Sequence, residues 1–134
     1  MHYLDTNILI YACINQDLKK MENSQRLIKE LATSDTLLLS PLSLQEFTFT
    51  LSKLNVDKDH IKSNYELFSN FCQYSIDKLL LDSAFETCIQ IDFCKNINDI
   101  IHIKFAEKYC DTFSTYDHDF KKIPPISNIE IKIL

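Results

Sequence analysis

Met1-His2-Tyr3-Leu4-Asp5-Thr6-Asn7-Ile8-Leu9-Ile10-Tyr11-Ala12 is the stretch whose reading decides the fold. Tyr3-Leu4 is a short apolar run that delivers a carboxylate, Asp5, at its end. Thr6 and Asn7 turn the chain, and Ile8 to Ala12 continues as an apolar helix or helical turn. A strand that runs directly into a helix is the opening of a βαβ unit, and in open α/β sheets ligands gather beyond the carboxyl ends of the strands. Asp5 stands at that edge.

The remaining elements alternate in the same way. Leu18 to Ala32 places Leu27, Ile28 and Leu31 at helical spacing. Leu37-Leu38-Leu39 is short and wholly apolar, as suits a strand buried on both faces. Ser40-Pro41 opens a helix to about Lys53, with serine as N-cap and proline in the first turn. Another helix, begun by Asp57 or Asp59, is expected to reach about Tyr74, with Phe68, Phe71 and Tyr74 as a core or dimer-contact stripe. Ser75 to Leu81 reads as a strand, followed from Asp82 by a helix ending near Lys95. Asn96-Ile97-Asn98 reads as a loop and Asp99 as the start of a helix through Tyr109. Thr112 to Thr115 reads as a strand and Tyr116 to Phe120 as a polar turn. Pro124-Pro125 ends the regular structure, and Ile129 to Ile133 alternates like an edge strand. Strands alternating with helices imply a small, mostly parallel central sheet flanked by helices. We read residues 1–134 as one α/β/α three-layer domain, without linker, repeat or low-complexity segment.

Composition narrows the function. No apolar run approaches the ~20 residues a membrane helix needs, and the N-terminus lacks the pattern of a secretory signal, so a cytoplasmic protein is expected. Five cysteines without a C-x-x-C pair argue for reduced, mostly buried thiols rather than zinc or disulfides. The absence of glycine removes the Rossmann and phosphate-loop fingerprints. The net charge of −5, with Arg26 the single arginine, argues against a nucleic-acid binder, unless some of the acids cage divalent cations that reverse the local potential.

Four carboxylates stand at element boundaries: Asp5, Glu46, Asp99 and Asp117. Each has an ordinary structural explanation. Asp5 caps a helix, Glu46 completes a Ser43-x-x-Glu46 capping box, Asp99 sits on a helix dipole, and Asp117 forms an Asx-turn. Against the capping box, Ser40-Pro41 is the better start signal and puts Glu46 more than a turn inside the helix. Singly these explanations prevail; jointly they leave unexplained why all four fall around one sheet edge. Four acids in one crevice repel, and hard divalent cations such as Mg²⁺ or Mn²⁺ relieve that repulsion with oxygen ligands.

Tyr3-Leu4-Asp5-Thr6-Asn7-Ile8-Leu9-Ile10, Ser40-Pro41-Leu42-Ser43-Leu44-Gln45-Glu46-Phe47, Asn98-Asp99-Ile100-Ile101-His102 and Ser114-Thr115-Tyr116-Asp117-His118-Asp119-Phe120 together resemble the PIN-domain nucleases, in order and at the expected separations. Within these, the chain looks most like the VapC-type toxins of bacterial toxin–antitoxin pairs. The resemblance implies a metal-dependent endoribonuclease whose acidic metal site and catalytic set are Asp5, Glu46, Asp99 and Asp117. It places Thr6, Asn7 and Thr115 as supporting polar residues. Asp119 either holds a metal-bound water or shapes the turn before Phe120. It also implies an RNA substrate, a homodimer and a small antitoxin partner that blocks the site, for which a basic segment would match the charge of this chain. His102, a lone histidine beside isoleucines, is given no role, and His118 is expected to face solvent. The pairs Lys104/Lys108 and Lys121/Lys122 read first as solvated faces, with phosphate contact by Lys121 or Lys122 as the alternative. Rival readings are a PIN-fold nuclease of RNA processing or of DNA outside a toxin system, a PIN-like binding module without chemistry, and a receiver-like signalling domain.

Overall fold

In the computed structural model the described residues are 1–122 and 128–134, the side chain of Lys122 excepted. The expected break at Pro124-Pro125 lies outside them. The elements are β1 (His2–Leu4), α1 (Thr6–Cys13), α2 (Leu18–Thr33), β2 (Leu37–Leu38), α3 (Pro41–Lys53), α4 (Lys58–Ser69), α5 (Lys78–Ile91), α6 (Ile97–Tyr109), β3 (Thr112–Thr115) and β4 (Glu130–Ile133), with short 3-10 turns at Cys94–Asn96 and His118–Lys122.

Among the described residues the sheet has the order β2-β1-β3-β4, with every pair parallel. Tyr3 pairs with Leu38 on one side and Phe113 on the other. Strand side chains alternate between faces, so neighbours on β1 enter different cores. Tyr3, Leu38 and Phe113 join Leu80, Ala84, Ile100, Ile103 and Phe105 beneath α5 and α6. Leu4, Leu37 and Leu39 join Ile8, Leu9, Leu44, Phe47, Leu51 and Phe68 beneath α1, α3 and α4, with α2 packing on through Leu27, Ile28 and Leu31. The three-layer α/β/α reading holds. The chain leaves β1 toward β2 on one side, and β3 lies on the other. The direction of winding therefore changes between β1 and β3, and the crevice this opens at their carboxyl ends is the usual ligand position of such sheets. Asp5 follows β1 and Asp117 follows β3, so both flank it.

Local signals explain most boundaries. Ser40 caps α3 by accepting from Ser43 N at 3.1 Å, with Pro41 in the first turn. Asp57 caps α4, which ends at Ser69, short of the expected Tyr74, because the Phe71 carbonyl turns to accept from Leu39 N at 2.9 Å. Without glycine, the described left-handed positions fall to Asp35, Asn55 and Asp92, short polar residues that tolerate that region best.

The strand expected over Ser75–Leu81 is absent. Asp77 accepts from Leu80 N at 2.9 Å and starts α5 there, five residues before the expected cap at Asp82. Leu79-Leu80-Leu81 looks like a buried strand, yet only Leu80 is buried, and Leu79 is 78% exposed. The buried positions Leu80, Ala84, Thr87 and Cys88 follow helical spacing. Asp82 instead receives the Lys78 ammonium at 2.7 Å on the exposed face. Loss of the cap in Asp77→Ala is expected to cost about 1 kcal/mol in urea unfolding. Asp82→Ala, which removes an exposed ion pair, is expected to cost less than about 0.5 kcal/mol. The reverse order would return the helix start to Asp82.

α6 begins at Ile97, so Asn96-Ile97-Asn98 is helix entry rather than loop and Asp99 lies in the first turn. The thiols are free, but only Cys88 is buried and Cys94 is exposed, against the expectation of mostly buried thiols. Lys104 is not on a solvated face: it is 17% exposed and donates to Glu107 at 3.1 Å. Phe68 is buried in the core and Phe71 packs against it, whereas Tyr74 stacks on Tyr109 with ring centroids 4.1 Å apart. Among the described residues no helix is long and apolar enough to cross a membrane.

Candidate active site

The crevice between the ends of β1 and β3 is built around Asp5, which is 7% exposed. Its Oδ1 accepts from Thr6 N at 2.7 Å, which caps α1. Its Oδ2 accepts from Asn7 Nδ2 at 2.9 Å and from Thr115 Oγ1 at 2.5 Å. Capping and site formation are therefore one arrangement. An ionised carboxylate has about four lone-pair positions. Three are taken by neutral donors, and one on Oδ1 remains.

Thr115, fully buried on β3, is itself saturated. Its hydroxyl accepts from Asn7 Nδ2 at 3.0 Å and from Asp117 N at 2.9 Å, so its single proton goes to Asp5. Asn7 also accepts from Tyr116 N through Oδ1 at 3.2 Å. Thr6, Asn7 and Thr115 thus tie the ends of the two strands together. Asp117 Oδ1 accepts from Asp119 N at 2.7 Å, so the Asp119 backbone shapes the turn; its side chain is exposed, as is His118. Lys121 is exposed on the 3-10 turn after Asp117, and the Lys122 side chain lies outside the described residues.

Glu46 reaches in from α3. Thr6 Oγ1 donates to its Oε2 at 3.0 Å and Asn98 Nδ2 to its Oε1 at 3.1 Å, while His102 Nε2 lies 3.3 Å from both oxygens. Asp99, in the first turn of α6 where the helix dipole favours an acid, accepts from Asn96 Nδ2 at 3.3 Å.

The electrostatics link these acids. Burial raises Asp5, with Glu46 adding to the rise against His102, Thr115 and Thr6. Burial also pushes Asp99 up to about 6; Asn96 opposes, and the charges of Asp5 and Asp117 add to it. Burial alone would raise Glu46, but His102, Thr6 and Asn98 outweigh it and hold the carboxyl below its usual range. Burial would likewise lower His102, but its hydrogen bond to Glu46 and the charges of Asp5, Glu46 and Asp99 outweigh this and raise it. The four expected acids therefore share one field. Among the described residues, however, no three acidic, histidine or cysteine side chains are already spaced as a metal's ligand set. Their oxygens face amide and hydroxyl donors and, at Glu46, an imidazole, and their like charges do not favour closer approach.

His102 was passed over by the sequence reading, and it is buried with both ring nitrogens engaged. Asn96 and Asn98, taken there for loop residues, each hold a site carboxylate. An Asn-x-Asn-Asp run at a helix start was the available signal.

A stability prediction follows for protein free of divalent ions. Asp5 and Asp99 have raised folded pKa values, so the folded state binds their protons more tightly and their contribution to stability falls as pH rises, for Asp99 between about 4 and about 6. His102, also raised, contributes stability at low pH that is lost as pH rises through its folded pKa. Glu46, depressed, loses its contribution only as pH falls through a folded value below 4.5. His2, lowered mainly by burial, opposes the trend, losing stability as pH falls through 6.5. The metal-free protein is therefore expected to melt higher at pH 5 than at pH 7.5, with Asp99→Asn flattening the difference. A wild-type melting temperature that rises steadily from pH 5 to 7.5 contradicts the assignment.

Comparison with known proteins bears on the fold and the family. A family model described as PIN domain matches residues 2–125. The crystal structure of VapBC2 from Rickettsia felis bound to a DNA fragment from its promoter contains a chain 22% identical to this one. That match covers 100% of this chain and 99% of the other, with a TM-score of 0.72, a likeness of fold. Comparison with curated proteins returns no match.

Proposed function

The chain belongs to the PIN-domain family, and from that premise we propose that it is a metal-dependent endoribonuclease, the toxin of a VapBC-type pair. The observation that carries the reading is Asp5: a buried carboxylate at the winding switch of a parallel sheet, with one lone pair left over and the charges of Glu46 and Asp99 coupled to its own.

The donor set suits a hard cation. It offers carboxylate oxygens without thiolates, and the raised Asp5 and Asp99 are groups that a nearby positive charge would hold ionised. Asp5, Asp99 and Asp117 would hold Mg²⁺ or Mn²⁺, with Glu46 completing the set. A bound ion of this kind supplies a nucleophilic water at neutral pH and neutralises charge on the phosphodiester. The chain's own residues prepare the rest. Thr115 and Asn7 aim Asp5, the helix entry presents Asp99, and Glu46 enters ionised through His102, Thr6 and Asn98. Lys121 and Lys122 follow Asp117 in sequence and are assigned to substrate phosphate.

An acidic mouth on a chain of net charge −5 suits a basic antitoxin segment, with an arginine able to enter the cluster bidentately. The reading places the protein in the cytoplasm as a homodimer. Total RNA incubated with Mg²⁺ or Mn²⁺ should be cut by the wild type, and excess EDTA should stop cleavage. Cleavage that persists in EDTA, or in both Asp5→Asn and Asp99→Asn, overturns the mechanism. Growth arrest on expression, relieved by a co-expressed neighbouring gene product, tests the toxin role; cleavage without arrest favours RNA processing.

A further inference from the structure

Glu46 is 27% exposed and stands at the end of a flexible side chain, so packing alone does not fix its carboxylate. Two of its donors are Thr6, buried at the start of α1, and Asn98, exposed at the start of α6. The third lies on its buried side. His102 is 1% exposed, and its Nε2 is 3.3 Å from each Glu46 oxygen, a symmetric approach that restrains rotation of the carboxylate about its last torsion. The opposite ring nitrogen is equally committed, with Nδ1 lying 2.5 Å from Tyr3 Oη.

Tyr3 is a fixed anchor. It is fully buried on the central strand β1, and its ring lies 5.3 Å from Phe105 and 5.4 Å from Phe113, centroid to centroid. Its hydroxyl also meets Ser40 Oγ at 2.7 Å and Ser43 Oγ at 2.9 Å, the cap and first turn of the helix that carries Glu46. The line Tyr3–His102–Glu46 thus joins β1, α6 and α3 through buried polar contacts that span 99 and 56 positions of sequence. A histidine that merely fills a core needs only some partner for its polar atoms. Here one nitrogen is instead spent on a site carboxylate.

We propose that Tyr3 and His102 are positioning residues for Glu46: Tyr3 Oη holds the imidazole at Nδ1, and the Nε2–H is donated to the Glu46 carboxylate. The consequence for catalysis rests on the nuclease reading above; the geometry does not. Loss of an outer group that orients a ligand through its hydrogen bond typically costs about 10- to 100-fold in activity.

The test has two parts. Long-range ¹H–¹⁵N correlation spectra of histidine-labelled wild type, without metal, should show His102 Nε2 protonated; a bare Nε2 overturns the proposal without touching the nuclease reading. In Tyr3→Phe the same signal should broaden or shift, and an unchanged signal removes Tyr3 from the relay. In RNA cleavage, His102→Leu should lower kcat by about 10- to 100-fold with KM nearly unchanged, Tyr3→Phe should lower kcat less, and His102→Gln, which keeps an N–H near Glu46, should recover much of the loss. Leucine and glutamine variants of equal kcat overturn the proposal. Where His102→Leu does not fold, the wild-type spectrum and the kcat of Tyr3→Phe decide. A wild type that cuts no RNA sinks the nuclease reading, and the spectra still judge the positioning.

Discussion

Asp5→Asn is expected to lower Mg²⁺-dependent RNA cleavage by roughly 1000-fold or more, within the range that loss of a positioned activating group produces, while the protein remains folded. Asparagine caps a helix about as well as aspartate, so its Oδ1 can still accept from Thr6 N. The new Nδ2 can donate to Thr115 only where Asn7 gives up its contact there, because both lone pairs of that oxygen are already filled, and it meets the Asn7 amide as donor against donor. Against that modest loss, the variant removes a buried charge that the fold raises toward its neutral form. The melting temperature without metal is therefore expected to stay level or rise at pH 7.5, while the stabilisation given by Mg²⁺ disappears. Activity lost together with several degrees of stability would mean that Asp5 is chiefly a cap. The measurements are kcat/KM on RNA and thermal melts with and without Mg²⁺.

Phe113→Ala is expected to be the most damaging single change to the fold, costing about 3–5 kcal/mol. Phe113 is fully buried at the middle of β3, with its ring 5.4 Å from Tyr3 and 5.0 Å from Phe120. Its loss opens a cavity between the central strand and the turn after Asp117, where a rigid sheet cannot collapse. A domain of this size is stabilised by only about 5–15 kcal/mol, so a large part of the margin goes. Phe113→Leu keeps most of the volume and should cost clearly less. Urea unfolding midpoints at constant m-value check both. A cost for alanine under about 1 kcal/mol would show that the core beneath α5 and α6 closes around the gap.

The contrast between what was legible and what was not follows from range along the chain. Asp5, Ser40 and the Thr112–Thr115 strand were readable because cap, turn and apolar run stand next to one another. The start of α5 was misread because Leu79-Leu80-Leu81 carries no periodicity within three residues, and the outward turn of Leu79 and Leu81 is decided by Leu80 and Ala84 packing against the sheet. α4 ended early on account of Leu39, a residue far back in the chain, directly after β2. His102 escaped for the same reason: its isoleucine neighbours describe a core position, and its two partners arrive from other elements. The shared field of the four acids was inferred from their places at element ends, but the amide and hydroxyl partners that occupy their oxygens were visible only in three dimensions.

The saturated hydroxyl of Thr115 fixes a direction of proton order around Asp5. Asn7 and the Asp117 amide both point into it, and its hydrogen points onward, so that edge of the carboxylate is closed to any newcomer. On the reading of this crevice as a metal centre, a proton and a divalent ion would contend for the same remaining Oδ1 position. Mild acid should accordingly silence such a centre by simple rivalry, reversed by more cation, at a pH where the polypeptide itself is at its sturdiest.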